Sequence, residues 1–202
     1  SVILGHEIAG RIAAVGKGVA GFKEGDRVAA AHHVPCGRCH YCSRGSVSMC
    51  REFKSTNVDP GGFAEFVRLS PAHVRRTLFK LPPSLDPVSA CLMEPLACVL
   101  RNLQRIGVRE GDKIGIVGLG SIGMMTSSAV RLRKAEPLGL EADPRRLELA
   151  GRLGLEACGP EGFSARVKKT THGRGLDAII LTAGPAELAT RALGWLRDGG
   201  TL

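Results

Sequence analysis

The chain has 202 residues, 44% of them apolar, and a formal net charge of +9; that is length enough for one large domain or two small ones with a buried core. No apolar run approaches the ~20 residues of a membrane span and no leader precedes a cleavage site, so the composition reads as a soluble, cytoplasmic protein with no membrane partner. The 20 arginines and 8 lysines are dispersed and aromatics are only 4%, which speaks against the basic stripe and stacking platforms of a nucleic-acid binder.

In chain order, a strand-like "SVILG" opens the sequence, followed by the short alternating runs "EIAGRIAAVG", "DRVAAAHHV" and "GGFAEFVRL". Period-two alternation broken by glycine turns predicts a mainly β unit. Past "KLPPSLDP" the pattern changes. "EPLACVLRNLQRIG" puts Leu96, Val99, Leu100, Leu103 and Ile106 on one helical face, with Pro95 in the first turn. Then strand "KIGIVG", helix "SIGMMTSSAVRLRK", strand "PLGLEA", helix "PRRLELAGRLG" and strand "LDAIIL" alternate, the order of parallel βαβ units. The expected division is therefore 1–84 and 85–202. Ser1 in place of Met, and an ending at "DGGTL" where another strand begins, predict a chain incomplete at both ends.

Three motifs carry chemistry. "IVGLGSIG" sets Gly118, Gly120 and Gly123 where a strand meets a helix. The first glycine suits a tight turn, the second lets backbone approach a pyrophosphate, and the third permits close helix packing. Glu141 lies 23 positions beyond Gly118, near the spacing of an acid that takes the ribose hydroxyls. Its charge opposes a 2′-phosphate while Arg145 and Arg146 would attract one; the acid at the strand end favours NAD over NADP. "GHE" places His6 beside Glu7, donors suited to zinc if Gly5 and Gly10 let the strand bend; alone, such a pair is more often a surface accident or a core histidine. Cys36, Cys39, Cys42 and Cys50 are spaced C-x2-C-x2-C-x7-C. Disulfides are disfavoured in a cytoplasmic chain, and the spacing departs from the bacterial iron–sulfur run. Four thiolates with no open position describe a closed, structural zinc site, leaving His32, His33 and His40 as outer neighbours or surface.

These motifs, in this order, resemble the zinc-containing medium-chain dehydrogenase/reductase family, in particular its polyol (sorbitol-like) and threonine-type members. "GHEIAGRIAAVGKGV", "FKEGDRV", the cysteine stretch, "GGFAEFV", "LMEPLACVLR" and "GLGSIGM" all carry the resemblance. It implies an α/β fold: a C-terminally truncated parallel Rossmann-type nucleotide-binding domain joined to an N-terminally truncated, mainly β GroES-like catalytic domain. It further implies a catalytic zinc on His6, with Glu7 and Glu94 as ligands or close neighbours, and a structural zinc on the four cysteines. Cys91 and Cys98 are runner-up ligands beside Glu94. Gly118, Gly120, Ser121, Ile122 and Gly123 would line the cofactor with Glu141 and Arg146, and Thr182 to Gly184 would border it.

The family's first catalytic ligand is a cysteine upstream of "GHE", with a Ser or Thr two positions later, and neither is in this chain. The resemblance thus implies a zinc-dependent hydride transfer between a small-molecule alcohol and NAD, in a homodimer or homotetramer when full length, with this stretch inactive alone. Two rivals stand beside it. A zinc-ribbon binding module would not need the glycine turn, and a zinc-free NADPH-dependent reductase would lack "GHE" and the cysteines.

Overall fold

The structure, a computed structural model, describes residues 3–202. Ser1 and Val2 of the strand-like opening lie outside the described residues, and Ile3 and Leu4 belong to no strand. The chain divides into two compact units between Pro95 and Leu96.

In the first unit, β1 (Ile8–Arg11) pairs antiparallel with β2 (Arg27–Ala30), and β2 pairs antiparallel with β3 (Leu78–Lys80). Between β2 and β3 the chain makes α1 (His40–Ser43), a 3-10 turn (Val47–Met49), α2 (Arg51–Ser55) and α3 (Pro71–Arg76). The α3 start follows from local chemistry: Pro71 presets the first-turn φ, and the Ser70 side chain accepts the His73 N–H. "GGFAEFV" forms no strand. Its glycines instead press against residues 3–5: Gly62 N–H donates to the Gly5 carbonyl and Phe63 N–H to that of Leu4, each at 2.8 Å. Phe63 and Phe66 are left exposed.

Beyond the pattern change at residue 84, α4 (Pro87–Cys91) starts with Asp86 accepting the Ser89 N–H and Pro87 in the first turn. It packs on β1 and β2, which is why the structural division falls after it. Then α5 (Met93–Ile106) begins.

The second unit has the predicted alternation in β4 (Lys113–Val117), α6 (Ser121–Leu132), β5 (Glu136–Leu140) and α7 (Pro144–Arg152). Next, β6 (Ala157–Cys158) and α8 (Pro160–Thr170), which the pattern does not name, precede the predicted strand β7 (Leu176–Leu181). Then α9 (Ala186–Leu193), also not named, leads to β8 (Leu196–Thr201), the strand expected at "DGGTL". The five strands are parallel in the order β6-β5-β4-β7-β8. Alternation along β4 sends Ile114 and Ile116 to a core with Leu103 of α5 and Val130 of α6, and Val117 to the opposite core with Phe163 of α8 and Trp195. Strand order reverses about β4, so its C-terminal end is the crevice where parallel sheets of this kind take ligands.

Candidate functional site

Three constellations emerge. The first lies just before β1. Gly5 adopts φ +98, and a Cβ there would meet the Phe63 nitrogen at 2.7 Å, so only glycine fits this bend. The bend brings His6 and Glu7 to one side instead of opposite faces. Glu94, in the first turn of α5, joins them. One ligand atom from each of the three lies within 4.8 Å of the others, and His6 Nε2 is 3.8 Å from Glu94 Oε2. An imidazole and two carboxylates form an N/O donor set with net negative charge, suited to a divalent cation.

Behind His6 stands His32, just past the end of β2. The two ring centroids are 4.8 Å apart, and His33 lies 4.0 Å from His32. His32 Nδ1 is buried with no protein partner. Burial, followed by the nearby imidazoles of His33, His6 and His73, pushes His32 down to about 4, so the ring is neutral at physiological pH. The sequence placed His32 with the cysteines; the structure sets its ring against His6.

The second constellation is the cysteine loop. The sulfurs of Cys36, Cys39, Cys42 and Cys50 all lie within 4.8 Å of one another. Cys39 and Cys42 are 3.5 Å apart and Cys36 and Cys42 3.9 Å, too far for disulfides, and all four thiols are free. Backbone N–H groups of Cys36 and then Phe53 hold Cys50 down to about 6, while burial and the neighbouring thiols push Cys42 up to about 12. Four thiols so opposed cannot all ionise unaided; a dication at their centre removes the conflict, and the group fits a tetrahedral sulfur site.

The third is the turn from β4 to α6. Gly118 has φ +88 and room for no Cβ, with Ala183 2.8 Å away. A Cβ on Gly123 would stand 1.9 Å from the Gly118 carbonyl oxygen, whereas one on Gly120 would meet only Arg146, at 4.0 Å. The middle glycine therefore faces open space beside the α6 N-terminus, where the N–H groups of Ser121, Ile122 and Gly123 lack carbonyl partners within the helix. Thr182 donates to the Gly118 carbonyl at 2.8 Å. Glu141 is turned inward. Its Oε2 accepts from Leu119 N–H, and its Oε1 accepts from the N–H groups of Ala142 and Asp143. Arg146 Nη1 is 3.7 Å from Oε2. Burial pushes Glu141 up, but those N–H groups and Arg146 outweigh it and hold the carboxyl below its usual range.

Sequence reasoning named residues that gather in each constellation but missed the His32 ring against His6 and the Ser70–His73 contact to the His32 carbonyl behind it. The signal available was the adjacency of His32 to His33, which does not say where either ring points.

Residues 1–83 match the family model of the alcohol dehydrogenase GroES-like domain. The chain is 34% identical to the sorbitol dehydrogenase of Bacillus subtilis over 206 residues, which cover 99% of this chain and 57% of that protein. Among solved structures it is similar to an oxidoreductase/dehydrogenase of unknown specificity from Escherichia coli, with TM-score 0.87 and 33% identity over 98% of this chain and 58% of that one. It is also similar to a protein of Sinorhizobium meliloti solved bound to NADP, with TM-score 0.84 and 31% identity over 98% and 59%. The chain thus spans a little under three fifths of the length of these relatives.

Proposed function

Because the chain belongs to the medium-chain dehydrogenase/reductase family and is similar to zinc-type alcohol and sorbitol dehydrogenases within it, we propose that the whole protein oxidises a secondary alcohol of the polyol class with NAD as hydride acceptor. The observation that carries this reading is the gathering of His6, Glu7 and Glu94 within 4.8 Å. Bound there, zinc supplies Lewis acidity that makes an alcohol hydroxyl easier to deprotonate, and a nicotinamide supplies the acceptor for its hydride.

The chain's own residues set the conditions. His6 offers an imidazole nitrogen from a bend that glycine alone permits. Glu7 and Glu94 bring carboxylates that offset a dication and leave the pocket near neutral, and a cysteine expected upstream completes the donor set. The four cysteines would hold a second, structural zinc, their four sulfurs leaving no open position. The turn at Gly118–Gly123 takes the pyrophosphate, with Gly120 as the open point of approach and the α6 N-terminus as the favourable pole. Glu141 places a negative charge at the end of β5, which favours unphosphorylated ribose, and Arg146 lies beside it.

The test is His6→Ala in the full-length protein. Alcohol oxidation is lost and zinc content falls from two per chain to one, the lobe zinc remaining. Retained turnover would sink the assignment.

A further inference from the structure

Near the His6 site, one buried histidine takes no part in the chemistry just described. His73 in α3 is 1% exposed, yet both its ring nitrogens are engaged. Nδ1 is 2.8 Å from the Ser70 hydroxyl, and Nε2 is 3.0 Å from the backbone carbonyl of His32. A carbonyl only accepts, so Nε2 donates to it, and Nδ1 is left to accept from the Ser70 hydroxyl. The pair thereby ties the start of α3 to a residue 41 positions earlier in the chain.

What it ties is the backbone that carries the His32 ring. That ring has no hydrogen bond of its own at its buried Nδ1, so its place is set by its main chain and by its ring neighbours. Those neighbours are His33 and His6. His6 needs a neighbour: its side chain is 53% exposed and follows a bend at Gly5, so nothing in its own backbone selects the imidazole orientation that meets Glu94. His73 is buried with both ring nitrogens bonded, and such a side chain specifies one arrangement where an apolar one would merely fill space.

We infer that Ser70 and His73 are positioning residues: they hold His32 as a backing plate that fixes the His6 imidazole toward Glu7 and Glu94. This rests on the reading of those three residues as the catalytic zinc site. The consequence is local, because among the described residues the side-chain hydrogen bonds of Ser70 and His73 reach the His32 carbonyl and none of the four cysteines. Outer partners of metal ligands commonly change metal affinity by about 10–100-fold, and the brace acts one step further out.

The experiment measures zinc affinity at both sites of the full-length protein by chelator competition. His73→Leu fills the buried volume but cannot donate to the His32 carbonyl; it is expected to weaken zinc at the His6 site by about tenfold, the lower end of the range for direct outer partners, and leave the cysteine site unchanged. His73→Gln, whose amide can donate to that carbonyl, should recover most of the loss. His32→Ala should weaken the same site, and His32→Phe, which keeps a ring against His6, should hold it within about threefold of the original. The inference fails if His73→Leu and His32→Ala leave the His6 site intact, if Gln rescues nothing, or if both zincs loosen together with loss of folded signal. Should His73→Leu not fold, the His32 pair decides. A wild-type protein that binds only the cysteine-site zinc overturns the catalytic reading itself, a result distinct from any of these.

Discussion

The Glu141 carboxylate accepts the Leu119 amide at 2.7 Å, so the acid at the end of β5 clamps the glycine turn at the end of β4. With Ala142 and Asp143 bonded to the other oxygen, this side chain is a structural bracket in its own right, apart from the ribose contact proposed for it. A carboxylate has about four lone-pair sites, so room for a ribose hydroxyl remains.

Glu141→Ala should therefore do two things at once: lower the stability of the full-length protein by about 2–3 kcal/mol through three lost bonds to a charged acceptor, and weaken NAD binding. Glu141→Gln keeps one acceptor oxygen and should lose less of each. Urea denaturation and NAD titration separate the two effects. Unchanged stability in Glu141→Ala would show that the bracket carries no weight.

Asp177 is the second acid whose ionised form the fold depends on. It accepts from the Lys113 backbone N–H, Arg174 and Arg197. Burial pushes its pKa up, yet Arg174, the Lys113 N–H and Arg197 more than reverse this and hold it well below the usual carboxylate range. A depressed folded-state pKa stabilises fully above the unfolded value of about 4, and the benefit drains as pH falls below it toward the folded value. Asp177→Asn should cost about 2 kcal/mol at pH 7 and show a shallower loss between about pH 4 and pH 2 than the parent. Matching melts for parent and variant at pH 7 would refute this.

Cys50 is the buried member of the cysteine group. Cys50→Ser should release the lobe zinc while the zinc at His6 remains, so metal analysis reads one zinc per chain with alcohol oxidation reduced but present. Loss of both metals would mean the two sites are not separable as described.

What was legible in the sequence is what local chemistry dictates. The alternation of β4, α6, β5 and α7 follows from apolar period and caps, and Gly118 and Gly123 sit where their missing Cβ atoms are required. The four cysteines meet because they span one short loop. His6 and Glu7 could be named as donors, but their convergence with Glu94 depends on α5, far along the chain. The His32–His6 contact and the His73 bond to the His32 carbonyl leave no periodic trace, since each joins residues far apart in the chain. "GGFAEFV" has the alternation of a strand, yet the N–H groups of Gly62 and Phe63 donate to the carbonyls of Gly5 and Leu4, and that competing backbone pairing wins.

The glycine turn separates steric need from cofactor need. Gly120 has φ −71, which alanine adopts readily, and a Cβ there would meet no protein atom closer than 4.0 Å. Gly120→Ala should fold with stability within about 1 kcal/mol of the parent, because the methyl group enters space the protein leaves open. That space is where the second glycine of such a turn lets a pyrophosphate approach, so NAD affinity should fall about tenfold or more. Gly123→Ala is the contrast: its Cβ would stand 1.9 Å from the Gly118 carbonyl oxygen, so the turn must move, and stability should drop by about 3 kcal/mol along with binding. NAD titration by fluorescence and a denaturation curve for each variant give the comparison. A Gly120→Ala protein that folds and binds NAD as the parent does would remove this turn from the cofactor site.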